Sequence, residues 1–197
     1  MKGPEGKNDL LSPTLASAVL SLLLSILSKE DPGKYKNFIC ILVELSSFFM
    51  QADRSYQRSY RKHKALKSLL LFMKVLLEKD DPGFAENGNL LTQLIHFYAS
   101  ASYGSAKNQD YLMSKGMHKW VLAFLSPAKF PLEFVKAAAM LLGVMPALPQ
   151  HRALIMGDGG VTRLLQMLKL GLESANPTLL ASTLFAIWSI CQECDEA

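Results

Sequence analysis

Cysteine is scarce in this sequence, and the thiols that are present do not form a disulfide framework. Cys40, Cys191 and Cys194 are an odd number of thiols in a chain of 197 residues, which is long enough to fold without covalent cross-links. We therefore expect an intracellular protein of the cytoplasm or the nucleus. The CxxC spacing of Cys191 and Cys194 lacks the second ligand pair of a zinc site, so we predict no metal and no cofactor.

Apolar runs of the kind that cross a membrane are also missing. The longest uncharged segment, 10–28, approaches the roughly 20 residues that a membrane span needs. Its serines, Ser17, Ser21 and Ser25, recur on one side of a helix. The apolar side carries Leu15, Val19, Leu22, Leu23, Ile26 and Leu27. We therefore predict a buried amphipathic helix and no transmembrane span.

Strand-like alternation is absent, and helical patterns take its place. Half of the residues are hydrophobic and 19% are charged, which is the composition of a folded protein with a substantial core. Proline follows Ser12, Asp31, Phe130 and Asn176, where the first turn of a helix tolerates it. Apolar spacing predicts further helices over 64–77, 89–101, 117–125 and 161–172.

Catalytic motifs are missing as well. His63, His96, His118 and His151 lie in different predicted units, and none has a Ser, Cys or carboxylate at a catalytic spacing. The glycine-rich segment 157–160 lacks the Gly-Lys-Ser/Thr ending of a phosphate-binding loop, so we interpret it as a turn between helices. We predict that the protein is not an enzyme.

An internal repeat is present in the second half of the chain. Segments 112–117 and 154–161 each lead through glycine into an apolar helix, a turn that contains proline and another apolar helix. Gly116 and Gly160 lie 44 positions apart, within the range of roughly 40 to 47 residues found in armadillo and HEAT repeats. We expect these two glycines at equivalent turns of successive repeats.

The segment 160–191 resembles an armadillo repeat. Its residues 186–190, Ala-Ile-Trp-Ser-Ile, are similar to the motif that closes the third helix in that family, and 41–45 is a weaker match. The resemblance is clearest over 108–192. It implies an all-α fold, a right-handed α-solenoid of about four armadillo-like repeats, with HEAT-like repeats as the near alternative.

The resemblance also sets the expected domain boundaries. Residues 12–192 are predicted to form one armadillo-like domain, between a disordered N-terminal segment, 1–11, and a short acidic tail, 193–197. Both ends of the array are interpreted as truncated, because the first unit begins at its second helix and the last lacks a capping helix. We therefore expect this chain to be part of a longer armadillo protein. In isolation, we expect it to self-associate through its exposed repeat ends.

A concave groove lined by third helices is the binding site that the resemblance implies. The expected groove residues are Phe185, Ser189, Glu44 and Cys40. The Trp-x-x-x-Asn pairs of armadillo import receptors are missing at the matching positions. Trp120 and Trp188 are instead expected in the core. These assignments imply a non-catalytic scaffold whose groove or repeat ends bind a peptide or helix of another protein.

One basic cluster stands out in a chain whose formal net charge is only +4. The basic cluster consists of Arg54, Arg58, Arg61, Lys62, Lys64 and Lys67. Arg54, Arg58 and Arg61 recur at helical spacing, so a helix presents them on one side. This stripe offers an alternative function, the binding of nucleic acid or acidic phospholipid, and it is also compatible with a solvated outer helix.

Overall fold

The computed structural model describes residues 12–79 and 84–192, and the regular structure in these ranges is entirely helical. The all-α class is thereby confirmed. The segments predicted as a disordered N-terminus and an acidic tail, and Cys194 with them, lie outside the described residues. Eleven α-helices occupy the described ranges, with a 3-10 turn, Pro32–Tyr35, before the second of them. They are α1 Pro13–Leu27, α2 Lys36–Ala52, α3 Ser55–Lys62, α4 Ala65–Lys79, α5 Phe84–Ser102, α6 Ala106–Ser114, α7 Met117–Phe124, α8 Leu132–Val144, α9 Pro149–Gly157, α10 Gly160–Glu173 and α11 Pro177–Cys191.

Four of these helices form a continuous row. Helix α2 packs against α5, α5 against α8, and α8 against α11; we call these four the stacked helices. The helix before each of them packs on its side, as α1 does on α2, α7 on α8 and α10 on α11. The short helices α3, α6 and α9 open the last three units. The described chain is therefore an initial pair, α1 and α2, followed by three successive three-helix units.

A left-handed residue marks the same turn in each of the three units. Lys64, Gly116 and Gly159 have φ values of 61°, 73° and 81°, and each directly precedes the second helix of its unit. The sequence predicted Gly160 rather than Gly159 as the equivalent of Gly116, which is wrong by one position. Gly160 is needed for a different reason, because a Cβ there would lie 2.6 Å from Ile155 Cγ2.

In the first two units, a buried glutamine at a fixed position joins the first helix to the stacked helix. Gln57 and Gln109 both lie seven positions before the left-handed residue of their unit, at 64 and 116. The Gln57 amide donates to the carbonyls of Ser100 (2.8 Å) and Tyr103 (2.9 Å) at the end of α5. The Gln109 amide donates to the carbonyl of Val144 at the end of α8, at 2.6 Å. The first helix of each of these units therefore satisfies carbonyls at the C-terminus of its stacked helix, which the helix itself leaves without donors.

The third unit uses a different residue at the same position. Arg152 lies seven positions before Gly159, is buried, and donates from Nη1 to the carbonyl of Pro146 at 3.4 Å. This carbonyl belongs to the segment that follows α8. The buried polar position is therefore shared by all three units, although its acceptor differs.

The core follows the apolar spacing of the helices closely. Val19, Leu23 and Ile26 of α1 are buried and its serines are exposed, which confirms the predicted amphipathic helix. Leu15 and Leu22 were expected on the buried side and are exposed instead. No helix in the described part of the chain is both long enough and apolar enough to cross a bilayer.

The expected burial of both tryptophans is wrong for Trp188. Trp120 is half-buried against the core, whereas Trp188 is 59% exposed. The buried side of α11 is formed by Leu179, Ala186 and Ile190. Trp188 follows Ala186 by two positions, which is about 200° around the helix and therefore on the opposite side.

The left-handed turn before α4 generates a stability prediction. Replacing Lys64 by Gly removes the steric cost of φ near 61° and should raise the free energy of unfolding by about 1 kcal/mol. The control Lys74→Gly, at an exposed position inside α4, should lower it by about 1 kcal/mol. Urea unfolding measures both changes, and a loss of stability in both variants would contradict the left-handed turn.

The ties between first and stacked helices generate a second prediction. The variant Gln109→Ala deprives the Val144 carbonyl of its amide donor and should lower the free energy of unfolding by about 1 to 3 kcal/mol. The control is Gln150→Ala on the exposed side of α9, where we expect a change below about 0.5 kcal/mol. Equal effects of the two substitutions in urea unfolding would show that the buried hydrogen bond contributes nothing.

Candidate functional site

A groove of about 360 Å³ opens on a face to which three of the stacked helices contribute, α2, α5 and α8. Its apolar lining consists of Met50, Ala99, Met140 and Val144. Its polar lining consists of Gln51, Arg54, Gln57, His96, Ser100 and Tyr103. A volume of this size accommodates one or two side chains of a partner, and an apolar lining with a few polar groups is typical of binding pockets.

Hydrogen bonds hold the polar lining in place. The Gln51 amide donates to Ser100 Oγ at 2.9 Å, which joins the end of α2 to α5. Gln57 lies beneath, buried on its two carbonyl acceptors. The Arg54 guanidinium lies 5.2 Å from the centre of the Tyr103 ring, in a cation–π contact. The groove is therefore built by residues from four helices, α2, α3, α5 and α8, that contact one another.

His96 adds a neutral polar group to the groove at neutral pH. Burial lowers the pKa of this histidine below its ordinary value, and the negative charge of Glu133 opposes that effect only in part. A neutral imidazole has one donor and one acceptor nitrogen, so His96 is able to form either kind of hydrogen bond with a ligand.

The predicted groove residues of α2, Cys40 and Glu44, do not line this groove. Glu44 is exposed on α2, and Cys40 is half-buried with its Sγ 3.6 Å from Asn89 Nδ2. Burial raises the pKa of the Cys40 thiol, and the neighbouring Glu44 carboxylate raises it further. Cys40 is therefore a protonated, unreactive thiol at neutral pH.

The predicted groove residues of the last unit are largely engaged in packing. Ser189 is buried, and the half-buried ring of Phe185 lies so close to α8 that a Cβ on Gly143 would be 2.6 Å from it. The large apolar side chains that α11 exposes are Leu184 and Trp188, at 52% and 59%. Self-association through this helix stays a prediction.

The basic cluster is only partly a free stripe. Arg58, Lys62, Lys64 and Lys67 are exposed. Arg61 is half-buried and donates to Asn108 Oδ1 at 3.3 Å, and Arg54 lies over Tyr103. Gln57 and Tyr60 form the buried side of α3. Of the three arginines predicted to share one side of a helix, only Arg58 is both exposed and without a partner among the described residues, because Arg54 precedes α3 and contacts Tyr103, and Arg61 bonds to Asn108.

Sequence reasoning missed the groove itself. Gln51 and Ser100 bond to each other although 49 positions separate them, and Met140 joins them from α8. No spacing rule links residues so distant in sequence. Arg54 was singled out as a cation, and its place at the groove was not foreseen. For the exposure of Trp188, in contrast, the sequence contained a usable signal, because the buried positions of α11 recur at helical spacing on the opposite side.

Two histidine–aspartate pairs join the last two units. His118 Nε2 lies 3.1 Å from Asp158 Oδ2, and His151 Nε2 lies 3.3 Å from Asp110 Oδ1. Both histidines are buried, and the Nδ1 atom of each has no hydrogen-bond partner among the described residues. No spacing in the sequence would have paired these residues. Within 12–79 and 84–192, no three His, Cys, Asp or Glu side chains converge as metal ligands.

Protonation of His118 works against the folded state. Burial lowers the pKa of His118, and Lys119 and His151 add to this effect, whereas Asp158 opposes it. The hydrogen bond to Asp158 places the proton of the neutral ring on Nε2. A second proton would go to Nδ1, a buried atom without an acceptor among the described residues. The His118–Asp158 pair therefore acts as a structural link between the last two units at neutral pH.

Comparison with protein-family models, curated protein sequences and solved structures gives no match to this chain. The armadillo resemblance therefore remains a prediction from the sequence motifs.

The buried His118 generates a prediction for pH dependence. The pKa of His118 is lower in the folded than in the unfolded chain, so its contribution to the free energy of unfolding is complete at neutral pH. This contribution is lost as the pH falls below about 6.5, the ordinary pKa of histidine. The free energy of unfolding should therefore fall between about pH 7.5 and 5.5, and less steeply in His118→Gln. The control His63→Gln, at an exposed histidine, should keep the full decrease. An unchanged decrease in His118→Gln would contradict this role.

Proposed function

We propose that this chain is a non-catalytic protein-binding module whose groove between α2, α5 and α8 accepts a peptide or helix from a partner. The observation that carries this proposal is the groove itself. Its apolar side chains come from α2, α5 and α8, and hydrogen bonds from Gln51 and Gln57 link α2 and α3 to α5 beside them. A site that spans several repeats is suited to an extended ligand, because a ligand segment meets the same face of one unit after another.

The exposed apolar side chains of the stacked helices support the same function. Ile41 and Phe48 of α2, Met140 of α8 and Trp188 of α11 are between 47% and 59% exposed. Large apolar side chains that stay exposed in a folded protein mark interaction surfaces when several lie together. Aromatic and methionine side chains are also those enriched at protein interfaces.

The armadillo assignment is part of this proposal. It is supported by three-helix units, by their stacked third helices and by the left-handed residue before each second helix. A right-handed superhelix and membership of a longer armadillo array follow from the resemblance. A cytoplasmic or nuclear location is proposed on the cysteine content alone.

A second candidate function is the binding of nucleic acid or acidic phospholipid through the basic cluster. The specific observation in its favour is that Arg58, Lys62, Lys64 and Lys67 are exposed and form no ion pair with a described carboxylate. Binding of this kind weakens steeply as salt rises from about 50 to 200 mM. Binding in the apolar groove changes far less over that range, so a salt titration separates the two functions.

A groove substitution tests the proposed function. Short peptides selected from a random library on the wild-type chain should bind Met140→Gln about five- to tenfold more weakly, because the apolar contact in the groove is lost. The matched control is Met156→Gln on α9, since Met140 and Met156 are both 47% exposed. Fluorescence anisotropy with labelled peptides measures the affinities. Peptides that bind all three proteins equally would show that the groove is not the binding site.

A further inference from the structure

We propose that the partner segment is acidic: it places an apolar side chain in the groove and a carboxylate on the guanidinium of Arg54. This inference rests on the proposed function and specifies the chemistry of the ligand. It follows from the position of one cation among lining residues that are otherwise apolar or uncharged at neutral pH, and from the charges that lie next to it.

Arg54 is held in place by its surroundings and retains its charge. Its guanidinium lies over the Tyr103 ring at 5.2 Å, and Nη1 lies 2.8 Å from the position that a Cβ on Gly104 would occupy. A residue larger than glycine at 104 would therefore displace the guanidinium. Arg54 forms no ion pair with a carboxylate in the described part of the chain. A guanidinium binds a carboxylate through two parallel hydrogen bonds. Arg54 has such a group without an ion-pair partner among the described residues.

The charge of the groove has a single sign at neutral pH. Arg54 is the one residue of the groove lining with a side chain that is permanently charged, and the pKa of the other basic group, His96, is lowered by burial. Helix α3 extends the positive charge beyond the groove with the exposed Arg58 and Lys62. Negative charge lies nearby as well, at Asp53 next to Arg54 and at Glu133, which acts on His96. The attraction for an acidic segment is therefore concentrated at Arg54 and the adjoining exposed side of α3.

The apolar lining favours a peptide over a nucleic acid as the source of the negative charge. Met50, Ala99, Met140 and Val144 offer apolar surface and no donor to a phosphate. An apolar side chain three or four positions from an aspartate or glutamate, on a helix or an extended segment, satisfies both parts of the site.

The test compares peptides selected from one random library on four proteins. They are the wild type, Arg54→Glu, Arg54→Met and the control Lys67→Glu. Arg54→Met keeps an apolar stem against Tyr103, so it tests the charge even if Arg54→Glu disturbs the fold. Lys67 is an exposed cation of the basic cluster outside the groove lining, so its variant matches the change in net charge. Far-ultraviolet circular dichroism during heating checks that all four proteins fold.

We expect the wild type and Lys67→Glu to select peptides with an apolar residue near one or more acidic residues. These peptides should bind both Arg54 variants at least about tenfold more weakly, as the loss of a charge-assisted contact predicts. Selection of peptides without acidic enrichment, or equal binding to the Arg54 variants, would overturn this inference and leave the proposed function intact. A chain that selects no peptide and binds a single-stranded oligonucleotide or phosphatidylserine vesicles in low salt would overturn both.

Discussion

The packing of each stacked helix on the next is the interaction on which the other features depend. Between α8 and α11 the approach is so close that Gly143 has room for no side chain beside the Phe185 ring. Burial of apolar surface along this row stabilises each unit through its neighbours, at roughly 25 cal/mol for each Å² removed from water. The groove across α2, α5 and α8 exists because these helices lie side by side.

Buried polar groups define the geometry both within the units and between them. Gln57 and Gln109 join the first helix of their unit to carbonyls at the ends of α5 and α8, where a helix has no donors of its own. The pairs of His118 with Asp158 and of His151 with Asp110 connect the last two units to each other. Hydrogen bonds require a narrower geometry than apolar contacts, so these pairs help to determine the position of the last unit relative to the one before it.

The candidate binding surface combines these two kinds of interaction. Gln57 is buried on carbonyls of α5 and also lines the groove, so a residue that stabilises the unit also shapes the site. Arg54 lies immediately beyond, packed on Tyr103 and without a carboxylate partner among the described residues. An apolar recess with one fixed cation at its edge recognises a ligand by shape and by charge together.

The sequence by itself determined the helices, because apolar spacing and proline at helix starts are local signals. Val19, Leu23 and Ile26 are buried as their spacing predicts, and the repeated turn was found within one residue of Gly159. Only the tertiary structure decided which side of each helix stays exposed. Leu15 and Trp188 are apolar and yet exposed, because burial depends on which neighbouring helix is present to cover a side chain. The groove was decided at the same level, since its residues come from α2, α3, α5 and α8, and helical periodicity contains no information about contacts between helices so distant in sequence.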